Sequence, residues 1–581
     1  MKKQLLAYTL LVLVAISGAC KKDFLERRPL SDIAPQDFFN TEKDLEIYTN
    51  SLYGNLPGTD IYSADNTSDN VETASTNEVV AGRHIVKTSA GEAGWNWGAL
   101  RNINYFLNSY QKAAIPDSVK NHYAGIARFF RALFYLEKVQ RFGDVPWYSY
   151  PLEANSPELY KARDSRVLVI DSILADLDFA AAKIKAGKNV SRITKWAALA
   201  LKARVCLFEG TYRKYHSELG LSGADELLQK AADAAKAIMD GGMYKLYSTG
   251  KPETDYLNLF AADAANTDEV ILARVYDRTL NKTHTANGAF TVSTLGAPGL
   301  TKALINSYLM KDGTPFSAVP NYATMPYWEE VKNRDPRLAQ TIRTPGYKRI
   351  GTNVPLVPDY SDALTGYQGI KFVTGTDQDG FNSNSNDLPI FRYAEVLLIY
   401  AEAKAELHQL TQGDADKSVN VIRTRAGMPF LILAGLTADP VLVQHNPGVT
   451  DPAILEVRRE RRVELAIEGF RYQDLMRWKL GALLAQRFLG AYFPGKGEFD
   501  LDGDGKNDIA IVDARPDNPV KGLQYFILKP DRALTEDTKG NIIVHPVDIK
   551  KFESPKHYLF PLPLTEMLLN KNLTQNPDWE K

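Results

Sequence analysis

Apolar residues recur at spacings of three and four along much of the chain. In SVKNHYAGIARFFRALFYLEKVQRFGDVPW they fall at Tyr123, Ile126, Phe130, Leu133, Phe134 and Leu136, a broad apolar face that predicts one long helix. Gly143 and Pro146 mark its end. DSRVLVIDSILADLDFAAAKI predicts a second helix, capped by Asp164 or Ser165. ITKWAALALKARVCLFEG predicts a third, stopped by Gly210, and ADELLQKAADAAKAIMDGGMY a fourth, stopped by Gly241 and Gly242. Similar lengths, short connections and Ala-rich sides predict stacked helical hairpins of tetratricopeptide-like kind, although no strict period of about 34 residues repeats.

Between roughly 244 and 386 the pattern changes to Gly, Pro, Asn, Thr and Tyr, with short strand-like runs such as EVILARVYD. Helical spacing returns in LPIFRYAEVLLIYAEAKAELHQL and in DPAILEVRRERRVELAIEGFRYQDLMRWKLGALL. A second loop-rich stretch covers roughly 493–551. The tail HYLFPLPLTEMLLNKNLTQNPDW then runs extended into a helix with Thr565 as N-cap. The expected fold is mainly α: a helical-hairpin scaffold over roughly 40–243 and 387–485, packed with an irregular lobe over 244–386 and a loop region over 493–551. No Gly/Ser or Pro-rich linker divides it, so residues 20–581 read as one body. Long irregular loops inside a compact body are usually functional.

The N-terminus alters this picture. Lys2 and Lys3 precede an apolar run from Leu5 to Ile16, shorter than the roughly 20 residues that span a bilayer. Residues 1–19 therefore read as a secretory signal. Ser17-Gly18-Ala19-Cys20 resembles a bacterial lipobox with Ser17 where Leu is usual, which makes Cys20 the expected acylation site and membrane tether. Cys206, the second of only two cysteines, is then left without a disulfide partner, so the body relies on its core. No later stretch is long and apolar enough to cross a membrane. A net charge of −1 over 581 residues removes the electrostatic basis for nucleic-acid binding.

Two motifs carry charge. In EVRRERRVELAIEG, Glu456, Glu460, Glu464 and Glu468 recur every four residues among Arg458, Arg459, Arg461 and Arg462, which predicts ion pairs along a helix. In RYAEVLLIYAEA, by contrast, Tyr393, Val396, Leu397 and Tyr400 share a face and read as core. FDLDGDGKNDIA places Asp500, Asp502 and Asp504 at alternate positions, with Gly505 for the turn and the Lys506 carbonyl and Asp508 to follow. That is the order of the first nine positions of an EF-hand loop and predicts structural Ca²⁺. Ile511 stands where the bidentate Glu belongs, and Asp513 offers a substitute. No G-x-S-x-G elbow, H-E-x-x-H helix or phosphate-cradling glycine loop stands out, and the eight histidines are scattered. An enzyme is not expected.

Seven stretches together resemble the SusD/RagB family of outer-membrane nutrient-binding lipoproteins from Bacteroidetes. They are CKKDFLERRPLSD, ARFFRALFYLEKVQRFGDVPW, ITKWAALALKARVCLFEG, NRDPRL, LPIFRYAEVLLIYAEA, RRERRVELAIEGFRYQDLMRW and YLFPLPLTEMLLNKNLTQNPDW, in the family's order. The resemblance implies a lid seated on a TonB-dependent β-barrel transporter (SusC-like), with a ligand surface built on the irregular lobe. It also implies that a Trp near Trp95 and Trp97 belongs to a ligand platform; either residue alone can instead pack beneath the first hairpin. Sugar faces stack on such rings while polar side chains hold the hydroxyls. Asn96, between the two, Arg83 and the loop SADNTSDNVE are candidate hydrogen-bonding groups. Asn104 matches a family position and reads as helix packing. Tyr327 and Trp328 in MPYWEEVKNRDPRL form a second aromatic candidate within the lobe. The expected ligand is an oligosaccharide or polysaccharide. Alternatives are a surface glycoside hydrolase, and an assembly lid with a peptide ligand or none.

Overall fold

The computed structural model describes residues 38–580; the signal segment and Cys20 lie outside the described residues. Nine longer helices organise it: α1 (Glu42–Leu52), α2 (Gly98–Ser109), α3 (Asp117–Phe142), α4 (Arg166–Lys183), α5 (Lys195–Tyr215), α6 (Ala224–Asp240), α7 (Tyr393–Glu406), α8 (Pro452–Glu464) and α9 (Arg471–Arg477). Each of α2 to α7 packs on the next, and α7 also packs on α8. Helix accounts for 43% of the described residues and strand for 10%, so the helical stack sets the architecture. Among the described residues no helix is long and apolar enough to cross a membrane.

Local chemistry explains most helix ends. Ser165 caps α4 by accepting the Leu168 amide, and α3 stops at Gly143, whose φ of +74° suits glycine. The predicted stop at Gly210 is corrected: α5 runs on to Tyr215. Glycine is there for close approach, because a Cβ at Gly210 would lie 2.9 Å from Leu228 and 3.1 Å from the Ala224 carbonyl of α6. Thr565 likewise is not an N-cap. It sits inside the short helix Leu564–Leu569, and its hydroxyl donates to the Thr88 carbonyl at 2.9 Å.

The chain leaves the stack after α6 and returns at α7. Strand β1 (Val270–Arg274) pairs antiparallel with β2 (Leu388–Arg392), which runs straight into α7 and closes the excursion. Beyond α9, β3 (Leu489–Phe493), β4 (Gly497–Phe499), β5 (Ile509–Val512), β6 (Gln524–Ile527), β7 (Arg532–Leu534) and β8 (Gly540–Val544) form two three-stranded sheets, β3-β8-β7 and β4-β5-β6. Tyr360 of the lobe packs edge-on against Phe493 and Phe526 of those sheets, 6.0 Å from each ring.

The Glu/Arg segment differs most from its sequence reading. Helix α8 is buried nearly all round, so its charges cannot be a solvated surface ladder. Among the described residues only Arg459–Glu456 (3.2 Å) pairs within the segment. The remaining charges bind other elements: Glu464 meets Arg337, Arg392 and Arg425, Glu460 meets Arg337 and Arg423, and Glu468 meets Lys371 and Arg392. Arg462 reaches Asp69 near the start of the body, and Arg461 reaches Asp474 of α9. Buried ion pairs add little net stability but penalise any arrangement that separates them. Here they fix the lobe, the N-terminal segment and the helical stack in one register.

Candidate functional site

The segment Ser89–Leu100 is built to present rings. Ser89 and Glu92 form a reciprocal capping box on the turn Ala90–Ala93, and Gly94 at φ +75° ends it. The chain then enters α2 through Trp95-Asn96-Trp97. Trp95 turns inward: it is 3% exposed and packs edge-to-face on Phe142 (4.9 Å) and on Trp97 (5.2 Å). Trp95 is therefore seated in the core at the end of α3, although it also borders the cavity that Trp97 lines. Asn96 is exposed, and its Oδ1 accepts the Gly98 amide at 3.1 Å, which uses the side chain to start α2.

Trp97 is half-buried and lines a cavity of about 300 Å³. Its ring stands edge-on to Tyr148 at 5.7 Å, and Arg101, one turn further along α2, lines the same space. Tyr150 from the segment after Pro146 and Glu566 and Asn570 from the C-terminal helix region complete the lining. Burial pushes the Tyr148 hydroxyl up to about 12, so it stays protonated, and it donates to the Glu158 carbonyl at 3.2 Å. Asn104 also borders the cavity. It is buried, its amide donates to the Tyr148 carbonyl at 2.8 Å, and its carbonyl accepts from Arg131 at 3.1 Å, the packing role its sequence position implies. Tyr148, Tyr150, Glu566 and Asn570 were not singled out in the sequence. The dense WYSY run beyond Gly143 is the signal that pointed to the tyrosines; the tail carried none.

The other candidates lie elsewhere. Arg83 does not line the cavity and pairs with Asp548 at 3.4 Å. The SADNTSDNVE loop is used internally: Asp69 accepts from Arg471 at 2.7 Å and Arg462 at 3.0 Å, and these arginines outweigh burial to hold its carboxyl well below the usual range. Tyr327 is 2% exposed with its hydroxyl donated to the Arg343 carbonyl, so it too is core. Trp328 remains partly exposed and lies against the Asp500–Asp508 turn, where a Cβ at Gly503 would meet its ring at 3.4 Å. No residue lining the Trp97 cavity comes from the 244–386 lobe, so the two aromatic candidates do not share a cavity and the Trp97 cavity is not the ligand surface expected on that lobe.

The Asp-rich turn joins β4 to β5. Carboxylate oxygens of Asp500, Asp502 and Asp504 lie within 4.8 Å of one another. Asp500 also accepts the amides of Asp502, Gly503 and Gly505, while Asp508 accepts the Leu501 amide at 2.8 Å. Burial first, then the three neighbouring aspartates, raises the Asp508 carboxyl. The Lys506 ammonium lies 2.7 Å from Asp504, and Asp513 pairs with Lys496 at 2.7 Å rather than turning toward the loop. Asp513 is thus no substitute for the missing twelfth ligand, whereas the converging carboxylates fit a hard cation.

Comparison with known proteins agrees with this architecture. A model described as the SusD family matches residues 268–579, and one described as "Starch-binding associating with outer membrane" matches 23–207. The SusD-like protein P25 of Formosa agariphila is 24% identical over 526 residues, covering 82% of this chain and 90% of that protein. SusD-like protein P2 of the same organism is 24% identical over 506 residues, with 83% and 92% covered. Among solved structures, a SusD-like protein from Bacteroides fragilis superposes with a TM-score of 0.68 at 23% identity, covering 95% of this chain and all of that one. A SusD-like carbohydrate binding protein from the same species also reaches 0.68, at 24% identity, covering 92% of this chain and all of that one. The family match over more than half the chain, together with the helical stack and its irregular lobe, shows that this chain belongs to the SusD family.

Proposed function

We propose that this protein binds an oligosaccharide at the cell surface, at the outer membrane, and passes it to a TonB-dependent β-barrel transporter. The observation that carries the reading is the Trp97 cavity: a half-buried indole and two tyrosines beside Arg101, Glu566 and Asn570. Rings for sugar faces and a few fixed polar groups for hydroxyls are what a glycan pocket needs. The printed descriptions of the family model and of the B. fragilis neighbour support the ligand class. Binding without catalysis fits the lining, in which Glu566 is the one carboxylate; glycoside hydrolysis uses two. Acylation of Cys20 would supply the tether, and Ca²⁺ at Asp500, Asp502, Asp504, Asp508 and the Lys506 carbonyl would order the β4–β5 turn.

The test is affinity electrophoresis of the purified protein on plant, host and microbial polysaccharides, beside Trp97→Ala. Retention by one glycan, weakened about tenfold or more in a variant that stays folded at the assay temperature, is the expected result. Retention that ignores Trp97 would move the site elsewhere. No retention on any glycan would favour a peptide ligand or a bare assembly lid.

A further inference from the structure

A second concavity shares no lining residue with the Trp97 cavity. It has a volume of about 640 Å³ and lies between the end of α1, the turn before α5, the end of β1 and the turn at 281–283. Three cations line it, Arg192, Arg274 and Lys282, and no carboxylate does. A neighbouring groove of about 320 Å³ shares Asn50, Tyr53 and Arg192 with it and adds Lys185 and Lys188, the latter 3.6 Å from Asp268. Together they make one continuous depression in the size range of ligand sites.

Cations outnumber acids on this surface: Arg192, Arg274, Lys282, Lys185 and Lys188 stand against Glu46 alone. Among the described residues, none of Arg192, Arg274, Lys282 and Lys185 forms an ion pair, although the chain as a whole carries a net charge of −1. Nearby carboxylates spend their hydrogen bonds on other groups, and bonds from Thr279, with Lys282 adding to them, lower the Asp277 carboxyl. Asp277 accepts the amide and hydroxyl of Thr279, Asp387 the amides of Ala265 and Tyr276, and Asp60 the amide of Gly58. Glu46, the single acid on the neighbouring groove, pairs with Lys43 at 2.9 Å.

The cations are also positioned. Arg274 donates Nη1 to the Tyr53 carbonyl at 2.7 Å, which steadies a half-buried guanidinium. Arg192 donates to Asn50 Oδ1 and sits 5.4 Å from the centre of the Tyr53 ring. Tyr53 and Tyr276 add half-buried rings to the same lining. Held guanidinium groups bind carboxylate and sulfate through paired hydrogen bonds, while rings take the apolar face of a sugar.

We infer that this depression binds an oligosaccharide bearing carboxylate or sulfate groups. The inference rests on the glycan-binding reading and names the class of glycan. Calorimetry on the whole protein would use oligogalacturonate and carrageenan oligosaccharides, each beside its carboxyl-reduced or desulfated counterpart, at low and high salt. Arg192→Gln and Lys282→Gln alter exposed side chains, and Trp97→Ala leaves this depression intact. The acidic probes are expected to bind more tightly than their neutral counterparts, to weaken with salt, and to lose about tenfold in affinity with each charge removed. Equal binding of acidic and neutral probes, indifferent to both substitutions, overturns the inference and leaves glycan binding standing. Binding of neither class overturns both readings. Charge-dependent binding to phosphatidylglycerol vesicles without binding to acidic oligosaccharides also overturns it, as a membrane contact.

Discussion

Glu464→Gln removes the charge at the centre of the buried network while keeping its shape. Glu464 is fully buried, and its carboxylate accepts from Arg425 at 2.6 Å, Arg392 at 2.7 Å and Arg337 at 3.0 Å. Removing one partner of a buried pair costs about 3–5 kcal/mol. Arg392 keeps Glu468 and Glu269, and Arg337 keeps Asp335 and Glu460. Arg425 keeps only Glu269 at 3.7 Å, so the loss falls mainly on it and the low end, about 3 kcal/mol, applies. Burial works to raise the Glu464 carboxyl, but Arg425, Arg392 and Arg337 outweigh it and hold it below its ordinary 4.5. A depressed carboxyl contributes stability that is complete above its unfolded value and is lost as pH falls through its folded one. Urea unfolding followed by circular dichroism should therefore show the full gap between wild type and variant at neutral pH, narrowing only in strong acid. A loss under about 1 kcal/mol at neutral pH, or a gap that widens on acidification, would refute this account of α8.

Trp95→Ala should lower stability by about 3–5 kcal/mol in the same assay, as loss of a core aromatic does, and Trp97→Ala clearly less. Equal losses would mean that the two rings have been assigned the wrong way round. Gly210→Val places a side chain against Leu228 and the Ala224 carbonyl and should destabilise by about 1–3 kcal/mol; a gain in melting temperature would show that α5 and α6 do not need the close approach. Ca²⁺ added to metal-stripped protein should raise the melting temperature through the β4–β5 turn, and Asp500→Asn should abolish the rise. A rise that survives the substitution would place the ion elsewhere.

Much of the scaffold was legible because helix chemistry is local. The apolar face of α3, the Ser165 cap and the Gly143 end depend on residues within a turn of one another. Gly210 misled for the opposite reason: its role is set by Leu228 on the next helix, which helix-stop rules do not see. The same limit applies to EVRRERRVELAIEG. Spacing gives the pairing of charges along a helix but not their burial, and once α8 is enclosed the partners become Arg337, Arg392, Arg425 and Asp69, drawn from across the chain.

The site divides along the same line. The family resemblance marked Trp95 and Trp97 together, yet the two rings differ in exposure, because Phe142 at the end of α3 seats one and the loop bearing Tyr148 opens beside the other. Residue type cannot separate neighbours whose fates are decided by a third element. The depression around Tyr53 shows the complement. Arg192, Arg274 and Lys282 are unremarked in sequence, each in a different segment, and become a charged surface only because β1 returns beside the end of α1. Aromatic motifs therefore indicate where a candidate surface starts, whereas its charge is fixed by which distant segments the stack brings together.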